Sequence, residues 1–158
     1  MNEIEIVENK KQCLFAYKNN NLLFYSTIDF KWTKKNLVKI FDKNDNLILE
    51  IQSYDAPFRS PKFKILSQKN LKGKNIREIT TDFISFDNDK TLSRHRDDFF
   101  SLNQNYSHFF NQIKIAETKQ KAWNSLQKIN LNVDEKYLDF QDLIIIHDLV
   151  VRTGYNSD

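Results

Sequence analysis

Three clusters of polar residues combine types that can bind a metal or move a proton. The first lies in the stretch LVKIFDKNDNLILEIQSY, where Asp42, Asn44 and Asn46 are two apart, as in the first half of an EF-hand calcium loop. Such a loop also needs Gly at its sixth position and Glu at its twelfth, and this chain has Leu47 and Ser53 there. Because the apolar runs on either side are typical of strands, the stretch predicts a hairpin turn and no metal site.

The second cluster is RHRDD, in which His95 lies close to Asp97 and Asp98. A metal-dependent hydrolase or nuclease needs imidazole and carboxylate groups that converge on one ion. Side chains of neighbouring residues on one segment point in different directions, and no second His–carboxylate group stands at a matching spacing. We therefore expect Arg94 and Arg96 to pair with the two acids, and an enzymatic use of His95 is the alternative.

The third cluster, His147 and Asp148, lies inside the apolar run LIIIHDLVV. A buried imidazole and carboxylate must be hydrogen-bonded, because leaving them unpaired away from water is costly. A catalytic dyad would also need a nucleophile, and no nearby Ser or Thr has the spacing of a nucleophile elbow or a triad. The pair is predicted to tether the last helix to the surrounding strands, with catalysis as the alternative.

The remaining residues of chemical interest predict neither an enzyme nor a cofactor site. Cys13 follows the strand alternation of CLFAY, which is typical of a small packed side chain. With two Gly in the whole chain, phosphate-cradling loops are excluded, and no C-x-x-C or H-E-x-x-H motif occurs. We predict a protein that has no catalytic residues, no bound metal and no cofactor.

Composition favours one folded domain that spans residues 1–158. The chain is 40% hydrophobic and contains 13 Phe, 6 Tyr and 2 Trp, which is enough to build a core. A single cysteine and the lack of an apolar signal segment at the N-terminus predict a cytoplasmic location. The longest apolar run has nine residues that include a His and an Asp, so we predict no membrane span.

Positive charge is concentrated in the first half of the chain. Residues 31–77 carry twelve Lys or Arg against four acids, whereas six acids stand against two basic residues from position 134 onward. The candidate contacts for an anionic ligand, on lipid or nucleic acid, are the seven cations of the acid-free segment 59–77. These are Arg59, Lys62, Lys64, Lys69, Lys72, Lys74 and Arg77. The alternative is that strands with alternating Lys present a solvated face that resists aggregation.

Aromatic residues interleave with these cations at Phe30-Lys31-Trp32, at Phe58-Arg59 and at Lys62-Phe63-Lys64. Exposed rings among basic residues would suit stacking on single-stranded nucleic acid. In an alternating strand, however, rings and lysines lie on opposite faces. We therefore expect the rings in the core and the lysines at the surface, which argues against nucleic acid as the partner.

Alternation with period two predicts short strands at 3–8, 13–17, 22–26, 30–32, 38–41, 47–52, 63–66, 76–80, 82–86 and 129–133. Residues 92–104 fit a short helix, and residues 108–117 fit a strand as well as a helix. Asp134 or Asp139 could start a last helix that ends near Arg152, apolar on nearly every side, with a central strand as the alternative. The predicted fold class is mainly β (α+β), a β-meander that curls into a barrel or half-barrel with a buried hydrophobic C-terminal helix.

The order of these parts resembles a known family. The hairpin LVKIFDKNDNLILEIQSY is similar to the repeated strand–turn–strand unit of the tubby C-terminal-like proteins, in particular their LURP-one-related branch, with Asn46 where the family has a turn Gly. INLNV followed by DEKYLDFQDLIIIHDLVVR is similar to that family's last strand and terminal helix. The resemblance covers about residues 13–80 and 129–152. It implies a closed β-barrel threaded by the helix, in a family that includes phosphoinositide-binding modules and lipid scramblase-like proteins.

These observations predict a non-enzymatic cytoplasmic binding module that recognises a protein partner or an anionic lipid surface. The alternative is an immunity-type protein that neutralises a toxin in a tight complex. In that case the acidic C-terminal third would cover a basic site on the toxin by charge complementarity. No lipid-binding residue of the family can be assigned to a position in this chain.

Overall fold

The computed structural model describes residues 2–33, 35–55, 58–69, 71–98, 100–121 and 125–154. These residues form a mainly β structure with a helical C-terminal segment. The strands are β1 (Asn2–Glu8), β2 (Leu14–Lys18), β3 (Asn21–Asp29), β4 (Lys35–Asp42), β5 (Leu47–Tyr54), β6 (Lys62–Gln68), β7 (Ile76–Ile79), β8 (Phe83–Phe86), β9 (Lys90–Arg96), β10 (Tyr106–Phe110), β11 (Ile113–Gln120) and β12 (Lys128–Val133). A 3₁₀ helix (Glu135–Phe140) and helix α1 (Gln141–Arg152) follow.

The strands form one antiparallel sheet that curls into a nearly closed barrel. Strands that are consecutive in the chain are neighbours in the sheet, except for β6 and β7, and the terminal strands β1 and β12 also pair, from Asn2↔Val133 to Val7↔Lys128. The sheet order therefore begins at β6 and ends at β7, in the middle of the chain. The predicted fold class is confirmed.

The side chain of Gln68 bridges the gap between β6 and β7. Its Oε1 atom accepts a hydrogen bond from the backbone N of Ile76 at 2.8 Å, and its Nε2 atom donates to the carbonyl O of Ile76 at 2.6 Å. A primary amide carries the same donor and acceptor groups as a backbone peptide unit. Gln68 therefore continues the hydrogen bonding of the sheet where the backbone ladder stops.

Alternation along the strands decides which side chains fill the barrel. Ile4 and Ile6 of β1 are fully buried, and the Glu residues on either side of Ile4 are exposed. Helix α1 occupies the interior, and every residue from Leu143 to Val150 is buried. Because the helix is enclosed by the sheet, it has no need of a polar face.

The last helix is present as predicted, but it starts later than the sequence indicates. Asp134 Oδ1 accepts a hydrogen bond from the backbone N of Lys136 at 2.9 Å. This cap belongs to the 3₁₀ helix, and α1 begins at Gln141. The chain leaves the helix through Gly154, whose φ is +76°, and a Cβ atom at this position would collide with the side chain of Ile28.

Two other predicted elements are wrong, and the open alternative at 108–117 is decided in favour of strands. Residues 30–32 belong to the connection between β3 and β4, and the described residues of the proposed short helix at 92–104 form most of strand β9 and a loop. Residues 108–117 form parts of two strands, joined at Asn111 and Gln112, which have φ values of 49° and 67°. A tight turn of two residues with positive φ needs no Gly here, so the usual sequence signal for a hairpin is missing.

The two ends of the barrel hold different parts of the helix. At the entry end, where α1 begins, the strands are joined by the β2–β3, β4–β5, β6–β7, β8–β9 and β10–β11 connections. At the exit end, where α1 finishes, they are joined by the β1–β2, β3–β4, β5–β6, β7–β8, β9–β10 and β11–β12 connections.

Candidate functional site

The stretch that resembles a calcium loop is the β4–β5 turn. Asp42 Oδ1 accepts hydrogen bonds from the backbone N of Asn44 at 2.9 Å and of Asn46 at 3.0 Å. Tyr25 Oη donates to Asp45 Oδ1 at 2.7 Å, and this hydrogen bond raises the pKa of Tyr25 to about 12. The carboxylates of Asp42 and Asp45 thus accept hydrogen bonds from the protein's own groups, and the predicted hairpin turn is confirmed.

His95, Asp97 and Asp98 do not converge on one point. His95 is exposed on the outer face of β9, where its ring packs edge-on against Phe109 with a centroid separation of 5.4 Å. Asp97 accepts a hydrogen bond from Ser107 Oγ at 2.6 Å, and Asp98 accepts one from the loop backbone. The three side chains therefore hold the β9–β10 connection in separate ways.

The predicted pairing of Arg94 and Arg96 with these acids is wrong. Both arginines occupy inward positions of β9, whereas the two acids lie beyond the end of the strand. Arg96 donates to the carbonyl O of Ser101 at 2.9 Å. Arg94 instead enters the barrel and forms an ion pair with Asp148 of α1 at 2.9 Å.

Asp148 is the centre of a buried polar network at the exit half of the barrel. Its Oδ1 atom accepts from Arg94 Nη1 at 2.9 Å, and its Oδ2 atom accepts from Thr118 Oγ1 at 3.1 Å. His108 Nε2 lies 2.6 Å from Thr118 Oγ1. Because the Thr118 hydroxyl proton is directed to Asp148, His108 must be the donor at this contact. Arg152 Nε lies 3.8 Å from Asp148 Oδ1.

The ring of Tyr106 helps to accommodate the two buried guanidinium groups. The guanidinium of Arg94 lies 4.0 Å from the ring centroid, and that of Arg152 lies 5.2 Å from it. Arg152 also donates a hydrogen bond to Gln120 Oε1. Cation–π contacts of this kind are worth more when the cation is out of water. The network therefore combines one carboxylate, two guanidiniums and several neutral acceptors.

His147 attaches the helix to another part of the barrel. Its Nε2 atom lies 2.8 Å from the carbonyl O of Thr80, and because a carbonyl only accepts, Nε2 donates. The tethering contacts predicted for His147 and Asp148 are present, one to the β7–β8 connection and one to β9.

Burial controls the protonation of this interior. It lowers the pKa of His108 to about 4 and that of His147 to about 3, so both imidazoles are neutral at pH 7. Burial alone would raise the pKa of Asp148, but the neighbouring His108, Arg94 and Arg152 lower it below its ordinary value. In the part of the chain that the structure describes, no three His, Cys, Asp or Glu side chains converge as metal ligands would. The network is a packed, enclosed structural element.

The seven basic candidates are spread along one side of the barrel and do not form one patch. Arg59 precedes β6 at the exit end, Lys62 and Lys64 lie on β6, and Lys69 follows β6 at the entry end. At roughly 3.3 Å per residue, the length of this strand separates Arg59 from Lys69 by about 20 Å. One compact ligand therefore cannot contact all of them.

Two of the seven, Lys72 and Arg77, have side-chain partners, and Lys74 lies close to Lys72. Lys72 forms an ion pair with Asp142 at 3.1 Å, and Lys74 lines the shallow pocket beside it. Arg77 donates to Asn88 Oδ1 at 3.3 Å. Part of the C-terminal negative charge is thus compensated within the protein.

The remaining cations near the exit end form a surface that we call the basic corner, defined by Lys35, Arg59, Lys62 and Lys64. Lys35 and Lys62 lie on either side of Tyr54 in the sheet, and Lys64 is opposite Gln52. All four are exposed, and none forms an ion pair with a residue that the structure describes. The expectation of outward-facing lysines on β6 is confirmed, and Phe63 between them packs against the core.

Two aromatic side chains stand beside this corner in full contact with solvent. Trp32 of the β3–β4 connection has a relative exposure of 104%, and Phe58 of the β5–β6 connection has 108%. The prediction that Phe30, Trp32 and Phe58 belong to the core is wrong. They lie in connections, where strand alternation does not apply; the Thr, Ser and Pro residues around them were the signal for this.

A small cleft lies beneath the same connections, where α1 leaves the barrel. Its volume is about 310 Å³, and its apolar walls include Ile28, Phe63, Val150 and Val151. The exit end therefore combines free cations, exposed rings and accessible apolar surface on one side. The charged network around Asp148 lies on the other side, against β9–β11.

Comparison with known proteins did not identify a relative of this chain. No family model, no curated protein and no solved structure matches this chain. Of the helices within the described residues, none combines the length and apolar character needed to cross a bilayer.

Proposed function

We propose that this chain is a non-enzymatic binding module that attaches to an anionic membrane surface through the basic corner. The observation that carries the proposal is a group of exposed cations that lack acidic partners. Lys62 and Lys64 point outward from β6, and the β5 residues opposite them are Tyr54 and Gln52. No carboxylate therefore lies directly opposite these two ammonium groups across the sheet.

The electrostatic magnitudes suit reversible attachment to a membrane. A Lys or Arg close to an anionic leaflet contributes about 1 kcal/mol, so the four cations of the corner together contribute about 4 kcal/mol. This attraction falls off within a Debye length, which is about 8 Å at physiological ionic strength. The outer face of a sheet presents its cations side by side, as contact with an extended surface requires.

The groups best suited to proton transfer are not accessible, which supports a function without catalysis. Asp148 has no exposed surface, and His108 is 1% exposed. Each has its hydrogen-bonding partners inside the barrel. A substrate would have to enter the packed space between α1 and the sheet to contact them.

The architecture also supports the family hypothesis. A β-barrel around a C-terminal helix is the fold that the resemblance to tubby C-terminal-like proteins implies, and phosphoinositide-binding modules occur in that family. Membership is part of the proposal, and the free cations of β6 support it independently of the resemblance.

The test is co-sedimentation with phosphatidylcholine vesicles, with and without phosphatidylserine, at low and at physiological salt. We expect binding only to the anionic vesicles, weakening as salt rises. The double variant Lys62→Glu/Lys64→Glu should lower the affinity by about a hundredfold or more, because each reversal replaces an attraction with a repulsion.

The matched control is Lys114→Glu/Lys119→Glu, which changes the net charge equally on β11. Both lysines are ion-paired with Glu117, at 3.2 and 3.3 Å, and lie away from the corner. We expect this control to lose far less affinity. Equal losses in the two variants would mean that only overall charge matters, and no loss in the β6 variant would overturn the proposal.

A protein partner is the second candidate, and one feature of the outer face favours it. Phe15, Tyr25 and Phe41 stack in a row across β2, β3 and β4, with centroid separations of 5.7 and 5.1 Å. Such a row is a suitable anchor for a partner, whether an adaptor or a toxin. A stoichiometric complex that survives high salt and is lost in Phe41→Ala, together with no vesicle binding, would favour this function.

A further inference from the structure

Trp32 and Phe58 contribute nothing to the described fold. A solvent-exposed aromatic side chain gains no burial energy from folding, although rings of this size are the largest contributors when buried. The connections that carry them could hold small polar residues instead. The presence of these two rings at the tips of the β3–β4 and β5–β6 connections therefore requires an explanation other than the stability of the fold.

The register of the sheet places the strand ends next to the two connections side by side. Lys35, the first residue of β4, pairs with Tyr54, the last residue of β5, and its Nζ atom lies 5.3 Å from the Tyr54 ring centroid. Trp32 comes shortly before Lys35, and Phe58 comes shortly after Tyr54. The two rings therefore extend from adjacent strand ends, on the same side of the exit end as the basic corner.

The backbone at Phe58 is unfavourable for this residue. Its φ is 62°, in the left-handed region that Gly and Asn adopt readily and that costs other residues free energy. A Phe in this conformation, with its ring in water, is disfavoured locally on both counts. Such local disadvantages are typical of residues that act in binding.

The charged residues next to Trp32 and Phe58 indicate which kind of partner the two rings contact. Lys31 precedes Trp32 and is ion-paired with Asp29 at 2.7 Å, and Arg59, which forms no ion pair with a described residue, follows Phe58. Phe100 on the far side of the same end is also exposed, but it follows two acids, Asp97 and Asp98, and has no cation next to it in the chain. Trp and Phe next to Lys and Arg are the residues of membrane-interface anchors, because the rings enter the headgroup region while the cations contact lipid phosphates.

We propose that Trp32 and Phe58 insert into the interfacial region of an anionic bilayer when the basic corner binds to it. This inference rests on the proposed function and adds the depth and orientation of binding. The barrel lies with the β3–β6 side of its exit end against the membrane. The β9–β11 side, with its acidic loop, is turned away from it.

The test uses the full chain and the same phosphatidylcholine–phosphatidylserine vesicles. Trp32→Ala/Phe58→Ala should lower the affinity by about tenfold or more, because two rings no longer leave water. The control is Ile113→Ala/Leu138→Ala, which removes exposed apolar side chains, 52% and 39% exposed, near the entry end. We expect vesicle affinity within about twofold of wild type for that control.

Trp32→Phe gives a direct readout of insertion. Phe keeps a ring at this position, so binding should persist, while the blue shift and the quenching by brominated lipid that we expect for wild type should be lost. An unchanged fluorescence response in this variant would assign the signal to Trp123 and overturn the insertion of Trp32.

The outcomes separate this inference from the proposed function. If the alanine pair binds as tightly as wild type while Lys62→Glu/Lys64→Glu does not, attachment is purely electrostatic and insertion is overturned alone. If wild type binds neither kind of vesicle, the proposed function fails, and insertion fails with it. A protein partner lost in the alanine pair, with vesicle binding unchanged, would assign the tips to a protein interface and also overturn insertion.

Discussion

The barrel holds positive charge in two contrasting settings. Inside, Arg94 and Arg152 are almost completely buried and are arranged around Asp148, with a tyrosine ring and amide oxygens at the remaining positions. Outside, Lys62 and Lys64 are exposed and have neutral neighbours across the sheet. Residues of the same sign thus share a buried carboxylate in one place and form no ion pair with a described residue in the other.

The contrast separates structural charge from charge available for binding. A buried cation that lost its carboxylate would carry an uncompensated desolvation cost, so removal of Asp148 alone should lower stability. A solvated cation needs no partner for stability, and it remains free to meet an external anion. We therefore expect the interior to control stability and the basic corner to control binding, and the predictions below test that division.

The largest effect on stability is expected from Asp148→Asn. The substitution keeps the shape of the side chain but leaves two buried guanidiniums without a carboxylate, which should cost about 3–5 kcal/mol of unfolding free energy. Urea unfolding followed by circular dichroism measures it. The control Asp139→Asn, at an exposed position, should change stability by less than about 0.5 kcal/mol. A loss below about 1 kcal/mol at Asp148 would contradict a stabilising role for the network.

An intermediate effect is expected from pH. His108 and His147 have pKa values lowered to about 4 and about 3, whereas an unfolded His titrates near 6.5. Between pH 6.5 and about 4 the unfolded chain binds protons that the folded chain does not, so stability should fall as pH falls through this window. The slope should approach about 1.4 kcal/mol per pH unit for each residue.

The pH effect can be assigned with two matched variants. His147→Gln should reduce the slope of unfolding free energy against pH, because the buried titrating group is gone. His95→Gln is the matched control, because it removes an imidazole that is exposed on β9. Equal slopes in both variants and wild type would show that other groups cause the dependence.

The smallest effect on stability is expected from Lys62→Glu/Lys64→Glu. Without ion partners to lose, the variant should unfold within about 0.5 kcal/mol of wild type in the same urea assay. The same protein should lose most of its vesicle affinity. A loss of stability above about 2 kcal/mol would mean that these lysines hold the edge of β6, and the division between structural and binding charge would not hold.

Local patterns in the sequence are sufficient to predict much of the architecture. Alternation identifies most strands, because each strand has one face on the core, and the continuous apolar run identifies the enclosed helix. The β4–β5 turn is also predicted, because Asp42 and Asn46 make their hydrogen bonds within a few residues. These features depend on neighbours along the chain, which a single sequence contains.

The candidate site is less accessible to such reasoning because it depends on residues that are distant in sequence. Arg94 and Asp148 are 54 positions apart and meet only because β9 passes beside the helix. Nothing local to RHRDD indicates that the arginine turns inward while His95 faces outward. The burial of Trp32 also depends on where strand β3 ends. Its ring would belong to the core if it lay in a strand, but it is exposed because Trp32 lies in the β3–β4 connection.

The topology has a consequence for how the chain folds. Every backbone ladder except one joins strands that are consecutive in sequence, and these hairpins form with short loops and a small closure entropy. The exception is β1–β12, where Ile4 lies opposite Leu131. Bringing these strands together orders almost the entire chain at once. Most of the entropic cost of closing the barrel thus falls on the meeting of its terminal strands.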